Sequence, residues 1–300
     1  MEMSDMQTQK ERKERLIYHW DHNNEDDSDQ EDSNLVGGQN KDVLSKEQPP
    51  IVRVKICGCI PAWWRTENYL TEWELQCYEL FKSEIKRYSK YDMDHEESLK
   101  RLWKVSFGDT QPPDKLVGPK WKELGFQGED PRNDFRGGGI IGTISINCLG
   151  LYCLTYFVEN FKDDFESIKP SDDGLFSTAL FCINLSYALQ VCFYFHNDDD
   201  IMRDYRPYKC NPRRFKNFIR LFSYDSSSSI SNSKINFYQL HGHLMITLVV
   251  LWNYYLKKGY NQLELFTKCL DETIEICHQI FDEEIRDIGV KNRDLIKQYL

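Results

Sequence analysis

Positive charge is what this chain has too little of: its formal net charge is −10 over 300 residues. Broad binding to nucleic acid or to an anionic membrane needs a surplus of Lys and Arg to neutralise phosphates, so both function classes are set aside. Three signatures of self-contained catalysis are also missing. There is no G-x-x-x-x-G-K-[ST] loop to cradle nucleotide phosphates, no G-x-S-x-G elbow to present a serine, and no H-E-x-x-H pair to hold zinc.

No hydrophobic leader opens the chain, and its ten cysteines are scattered through apolar segments, as at Cys148, Cys153, Cys182 and Cys192. Reduced, buried thiols in a cytosolic protein are expected, not a disulfide framework. Cys57 and Cys59 form the only close pair. A zinc site would need two further ligands, and only a long-range contact could bring His241 and His243 to it, so no metal site is expected. These two histidines read as core-edge residues. His196 to Asp200 offers oxygen ligands but lacks the glycine turn and terminal glutamate of a calcium loop, and reads as an acidic loop. The uncharged run from Leu175 to Phe195 has 21 residues, enough to cross a bilayer. Ser177, Thr178, Asn184, Ser186 and Gln190 are dispersed through it, which suits an interior helix of an all-α domain better than a lipid-facing one.

What the chain does have is concentrated between Trp121 and Gly139, W-K-E-L-G-F-Q-G-E-D-P-R-N-D-F-R-G-G-G. Gly137, Gly138 and Gly139 lose more conformational freedom on folding than any other triplet, so a plain surface loop has little reason to carry them. Positive φ and close backbone approach suit a loop that presents Arg136 outward with its amides free to face an anion. The guanidinium stays charged and matches phosphate oxygens in a bidentate way that lysine cannot reproduce. The ordinary alternative is a surface ion pair of Arg136 with Asp134 or Glu129. Around the arginine, Trp121, Leu124, Phe126 and Phe135 supply apolar anchors, Gln127 a side-chain amide and Pro131 a stiff turn. The loop therefore reads as held.

With 40% hydrophobic residues the chain can bury one sizeable core. Residues 1–50 are polar and strongly acidic and read as a disordered tail, with Glu11 to Trp20 as a possible short helix on a partner. Residues 51–95 hold an extended arm at 51–60 and a leading helix over Tyr69 to Tyr88, with Trp73, Cys77, Leu80, Phe81, Ile85 and Tyr88 on one face. Residues 96–285 form the main domain. Its first helix, Glu96 to Phe107, buries Leu99, Leu102, Trp103 and Phe107 and is stopped by Gln111-Pro-Pro. Residues 286–300 are a terminal helix or tail. Arg203, Arg206, Lys209, Arg213, Arg214, Lys216 and Arg220 make the only basic concentration. It reads either as a steering surface for an acidic partner or lipid headgroup, or as a helix whose solvent face happens to be basic. Ser223 to Ser233 is a flexible loop, and two amphipathic helices, Phe237 to Leu256 and Asn261 to Ile288, meet at Gly259.

W-x-x-x-G-F-Q, then Pro, then D-F-R-G-x-G resembles the ELMO (engulfment and cell motility) domain, with Trp121, Gly125, Phe126, Gln127, Pro131, Asp134, Phe135, Arg136, Gly137 and Gly139 on the matching positions. H-E-E-S-L-x-x-L-W and D-T-x-x-P upstream, L-G-L-Y-C-L-T-Y-F from Leu149, and I-N-L-S within the long apolar run are similar to further parts of the domain. The likeness extends over roughly residues 70–285, and residues 140–148 read either as an insertion of about eight residues or as added helix. The resemblance implies an all-α, multi-helix ELMO domain of the single-domain type behind a disordered acidic tail. It implies GTPase activation toward an Arf or Arf-like GTPase in its GTP form, in signalling and membrane traffic, with Arg136 as the arginine finger. The other matched residues would bind the partner or support the loop. No cofactor belongs to the chain itself, since GTP and Mg²⁺ are the partner's. The alternative is a non-catalytic adaptor or effector that binds a small GTPase or a DOCK-type Rac exchange factor. Either role implies a cytoplasmic protein without a transmembrane segment, able to act peripherally at organelle membranes.

Overall fold

The computed structural model describes residues 70, 72–85, 93–136, 148–167, 177–195, 207–223 and 230–300, and of residues 72, 84, 136, 230–233, 262 and 263 the backbone alone; among the described residues helices are the only extended regular elements. In chain order they are α1 Glu72–Glu84, α2 Met93–Phe107, the short α3 Arg132–Arg136, α4 Leu149–Asn160, α5 Lys162–Ser167, α6 Thr178–Cys192, α7 Pro212–Ser223, α8 Ile230–Lys257, α9 Gln262–Ile280 and α10 Ile288–Ile296. The tail (1–50), the arm (51–60), the acidic stretch 196–200, Arg203 and Arg206, and the serine-rich 224–229 lie outside the described residues.

α6 is the centre because its sequence is apolar on every face. Thirteen of its fifteen residues are buried, from Thr178 to Cys192, and it packs against α4, α8 and α9. Three of its dispersed polar groups are satisfied within the helix: Asn184 Nδ2 donates to the Leu180 carbonyl at 2.8 Å, Ser186 Oγ to the Cys182 carbonyl at 2.8 Å and Gln190 Nε2 to the Ser186 carbonyl at 3.0 Å, while the buried Thr178 hydroxyl has no partner among the described residues. Among the described residues no helix is long and apolar enough to cross a membrane. α2 covers α4, while α1 and α7 pack on α8, where Phe81, Phe195, Phe218, Phe222 and Phe237 interlock ring on ring. α10 closes the far side on α8 and α9.

Four expectations are corrected. On α1, Cys77 and Phe81 face inward, but Trp73 is 46% exposed and the inward place is taken by Tyr78, fully buried; its hydroxyl donates to the Tyr194 carbonyl at 2.5 Å. Tyr88 lies outside the described residues. α2 buries Leu99, Leu102 and Trp103 as expected, yet it ends before the prolines. Gly108, at φ +64, takes the left-handed conformation, and its N–H closes on the Lys104 carbonyl at 2.9 Å. His241 is a core residue, wholly buried, with Nε2 3.1 Å from both the Cys182 carbonyl and Ser186 Oγ. Burial lowers it to about 4, so it is neutral. Finally, two of the arginines in the basic stretch of α7 are taken up by the protein's own carboxylates, while Arg213 is exposed. Arg214 meets Asp282 at 2.6 Å, Arg220 reaches Glu284 at 3.2 Å and Glu74 at 3.6 Å, and Lys216 is buried.

Candidate functional site

The conspicuous loop starts from an indole. Trp121, in the turn Pro119–Leu124, is completely buried, and its Nε1–H donates to the Leu116 carbonyl at 2.8 Å. From it an edge-to-face series of rings runs in both directions. Trp103 of α2 lies 5.0 Å away, Phe126 5.6 Å, and Phe135 stands 5.7 Å beyond Phe126. Each such pair adds about 0.5–1.5 kcal/mol beyond area burial. Leu124 is buried beside them, and Pro131 is buried at the entry to α3.

Gly125 is a glycine for two reasons. Its φ is +85, and a Cβ there would sit 2.6 Å from Ser177 Oγ and 2.7 Å from Ser177 Cα. Ser177 Oγ donates to the Gly125 carbonyl at 2.5 Å and accepts from Leu180 N–H at 3.3 Å. One hydroxyl thus caps α6 and ties the loop to it.

Downstream, the backbone N–H of Gln127 donates to Asp134 Oδ2 at 3.0 Å. The exposed carboxamide of Gln127 is not what holds the loop; its main chain is. Burial pushes Asp134 up to about 6, against the lowering effect of that N–H, with Asp130 adding to the rise. Phe135 is wholly buried and its ring lies beside Gly150, where α4 meets Ile183 of α6; a Cβ at Gly150 would make ordinary contacts there, 3.5 Å from Ile183 and 3.8 Å from the Phe135 ring.

The residue that sequence reasoning missed is Arg132. Only 8% exposed, it forks onto Glu96 of α2, with Nε at 2.8 Å and Nη2 at 2.5 Å from the two carboxylate oxygens, and meets Asp130 at 3.0 Å. Both carboxylates hold its guanidinium firmly charged. The available signal was the acidic residue two positions earlier and the turn proline between, which place a carboxylate on the arginine's own turn; Glu96, from another helix, could not be seen. His95 and Cys148 are likewise brought together across the sequence, Nε2 to Sγ 2.6 Å, both buried.

Arg136 ends α3, one residue after buried Phe135. Of its two suggested ion-pair partners, Asp134 accepts the Gln127 N–H, and Glu129 stands 4.0 Å from Lys122. Gly137 and Gly139 lie outside the described residues, as do 140–147; the described helix opens at Leu149, with L-G-L-Y-C-L-T-Y-F as its first residues. A separate polar cleft of about 460 Å³, lined by Asn160, His243, Arg286 and Asp287 among others, opens at the opposite end of α4. None of the described motif residues lines it. Among the described residues no three His, Cys, Asp or Glu side chains gather as a metal site.

A sequence profile described as ELMO/CED-12 family matches residues 79–269, well over half of the chain and all of this loop. The chain belongs to the ELMO/CED-12 family. Its relatives include human ELMO domain-containing protein 2, 37% identical over 102 residues that make up 33% of this chain and 32% of that protein. Bovine ELMO domain-containing protein 1 is 45% identical over 76 residues, 24% of this chain and 21% of the relative. ELMO domain-containing protein C of Dictyostelium discoideum is 32% identical over 119 residues, 40% of this chain and 18% of the relative. The chain thus spans about a third or less of the length of these relatives. No solved structure matches it. The aromatic platform around Trp121 is, in this chain, the physical form of the ELMO motif.

Proposed function

We propose that the protein activates an Arf or Arf-like small GTPase, with Arg136 supplied in trans to the partner's nucleotide. The observation that carries this reading is that the backbone leading to Arg136 is held, while the arginine one helical turn earlier is already engaged. Arg132 is buried and engaged by two carboxylates, which leaves it nothing to offer a partner's phosphates. Arg136 closes the same short helix, on a backbone held by Phe135, Asp134 and Arg132, and occupies the arginine of the D-F-R-G motif.

An arginine is neither nucleophile nor base at neutral pH, so its chemistry is charge stabilisation. In a GTPase the charge to be met develops across the β–γ phosphate oxygens, and a finger supplied in trans contributes about 10³ to 10⁵ in rate. GTP and Mg²⁺ are the partner's. A held backbone serves this role because the entropy of orienting the guanidinium is lost on folding, before the partner arrives. A second reading, an adaptor or effector for a small GTPase or a DOCK-type exchange factor, draws on Val117. It is 40% exposed at the edge of the same platform and gives it an apolar contact that binding without catalysis would use.

Single-turnover GTP hydrolysis across a panel of purified Arf and Arf-like GTPases separates the two. Arg136→Lys keeps the charge and loses the fork, and should cut the stimulated rate at least ~100-fold with binding retained. Equal stimulation by wild type and variant sinks the finger assignment; binding without stimulation by either moves the protein to the adaptor reading.

A further inference from the structure

We infer that His95 and Glu96, consecutive residues in the first turn of α2, form a positioning clasp that fixes both flanks of the segment bearing Arg136. Its functional consequence rests on the reading of Arg136 given above; its geometry does not. On the upstream flank, the Glu96 carboxylate takes both Nε and Nη2 of Arg132, at 2.8 and 2.5 Å, where α3 begins. On the downstream flank, His95 Nε2 lies 2.6 Å from Sγ of Cys148, the residue that precedes α4. Neighbouring Cα atoms are about 3.8 Å apart. The chain therefore leaves at Arg132 and re-enters at Cys148 through adjacent anchor points on one helix.

The two halves differ in kind. Glu96 and Arg132 form a bidentate, charge-assisted pair whose side chains are 22% and 10% exposed, so removing Glu96 leaves a largely buried guanidinium with Asp130 as its one remaining carboxylate among the described residues. His95 and Cys148, each 1% exposed, make a contact whose donor and acceptor depend on the imidazole tautomer. α2 does not depend on the clasp to stay docked. Leu99, Leu102 and Trp103 bury it, and Arg101 pairs with Glu159 of α4 at 2.7 and 2.6 Å. Loss of the clasp should shift the flanks of the loop while the helix remains in place. A reacting group displaced by about 1 Å can lose on the order of 100-fold in rate, so His95 and Glu96 act as positioning residues through Arg132 and Cys148.

The test uses the full chain with Glu96→Gln, His95→Gln, Cys148→Ala and Cys148→Ser. Amide hydrogen exchange should accelerate about ten-fold or more in peptides covering 131–136 and 148–152 of Glu96→Gln, with α6 and α8 unchanged. Cys148→Ser, which keeps a polar partner for His95, should stay nearer wild type than Cys148→Ala. With the GTPase that wild type stimulates, the maximal rate should fall at least ~10-fold at a half-saturating concentration within about two-fold of wild type. Unchanged exchange at the two flanks, or acceleration spread evenly through the fold, overturns the clasp. A full stimulated rate despite loosened flanks overturns its positioning role. If wild type stimulates no GTPase, it is the proposed function that fails, and exchange alone still decides the clasp.

Discussion

Arg214 and Arg220 on α7 and Arg132 beside the ring platform are all paired arginines, but the two regions use their charge differently. On α7, Asp282, Glu284 and Glu74 meet the cations from α1 and from the segment after α9. Charge there ties the surfaces of helices that are already packed. Around Trp121 a single arginine is engaged, and rings, backbone and one serine hydroxyl hold the rest. The comparison teaches that density of charge does not mark a site. A site needs backbone fixed in a conformation that local propensity would not choose, as at Gly125, with a charged group left at its end.

Four substitutions sharpen this contrast, beginning with the largest expected effect. Trp121→Ala removes the buried centre of the ring series and should cost about 3–5 kcal/mol in chemical denaturation, along with partner binding. A loss below about 1 kcal/mol would mean that the platform is not what holds the loop.

Asp134 has a smaller and pH-dependent effect. Burial raises it from 3.8 to about 6, so the folded protein keeps this proton over a range in which the unfolded chain has lost it. Its contribution to stability is therefore greatest below about pH 4 and is lost as pH rises through about 6. Asp134→Asn keeps an acceptor for the Gln127 N–H without the charge. It should flatten the pH dependence of the melting temperature between pH 4 and 6 and raise it by a few degrees, on the order of 2–4 °C, at pH 7. A lower melting temperature at pH 7 would show that the ionised carboxylate is needed for the fold.

The smallest effects belong to α7. Arg214→Gln and Arg220→Gln should each cost less than about 1 kcal/mol, since both pairs are partly exposed to solvent. Partner affinity and its salt dependence should stay within about two-fold of wild type. A steep loss of salt dependence would return α7 to the role of steering surface.

Much of the platform was legible because its chemistry is local. Trp121, Leu124, Phe126 and Phe135 are large and apolar within fifteen positions, and burial follows from the hydrophobic effect alone. The all-α character was implied by the family resemblance, and the periodicity of α2 and the apolar surround of α6 agree with it. What could not be read depends on pairs distant in sequence. Arg132 and Arg136 both sit among acidic residues, and only the arrival of Glu96 from α2 decides that Arg132 is the internal one. His95 and Cys148 are 53 positions apart, and the carboxylates that pair with α7 come from 146 positions before or more than 60 after their arginines. Trp73 was misplaced for another reason: helical spacing allowed two adjacent faces, and Tyr78, able to reach the Tyr194 carbonyl, occupies the inner one.

The central claim is that Arg136 acts on the charge of a transition state. It is tested most directly by comparing affinity for the partner GTPase in two nucleotide states. One is loaded with a non-hydrolysable GTP analogue, the other with GDP and aluminium fluoride, which imitates the phosphoryl group in transfer. Wild type should bind the transition-state mimic at least ~100-fold more tightly than the ground-state analogue, and Arg136→Lys should abolish that ratio while leaving ground-state affinity intact. Equal affinity for both states, identical in wild type and variant, would contradict the account.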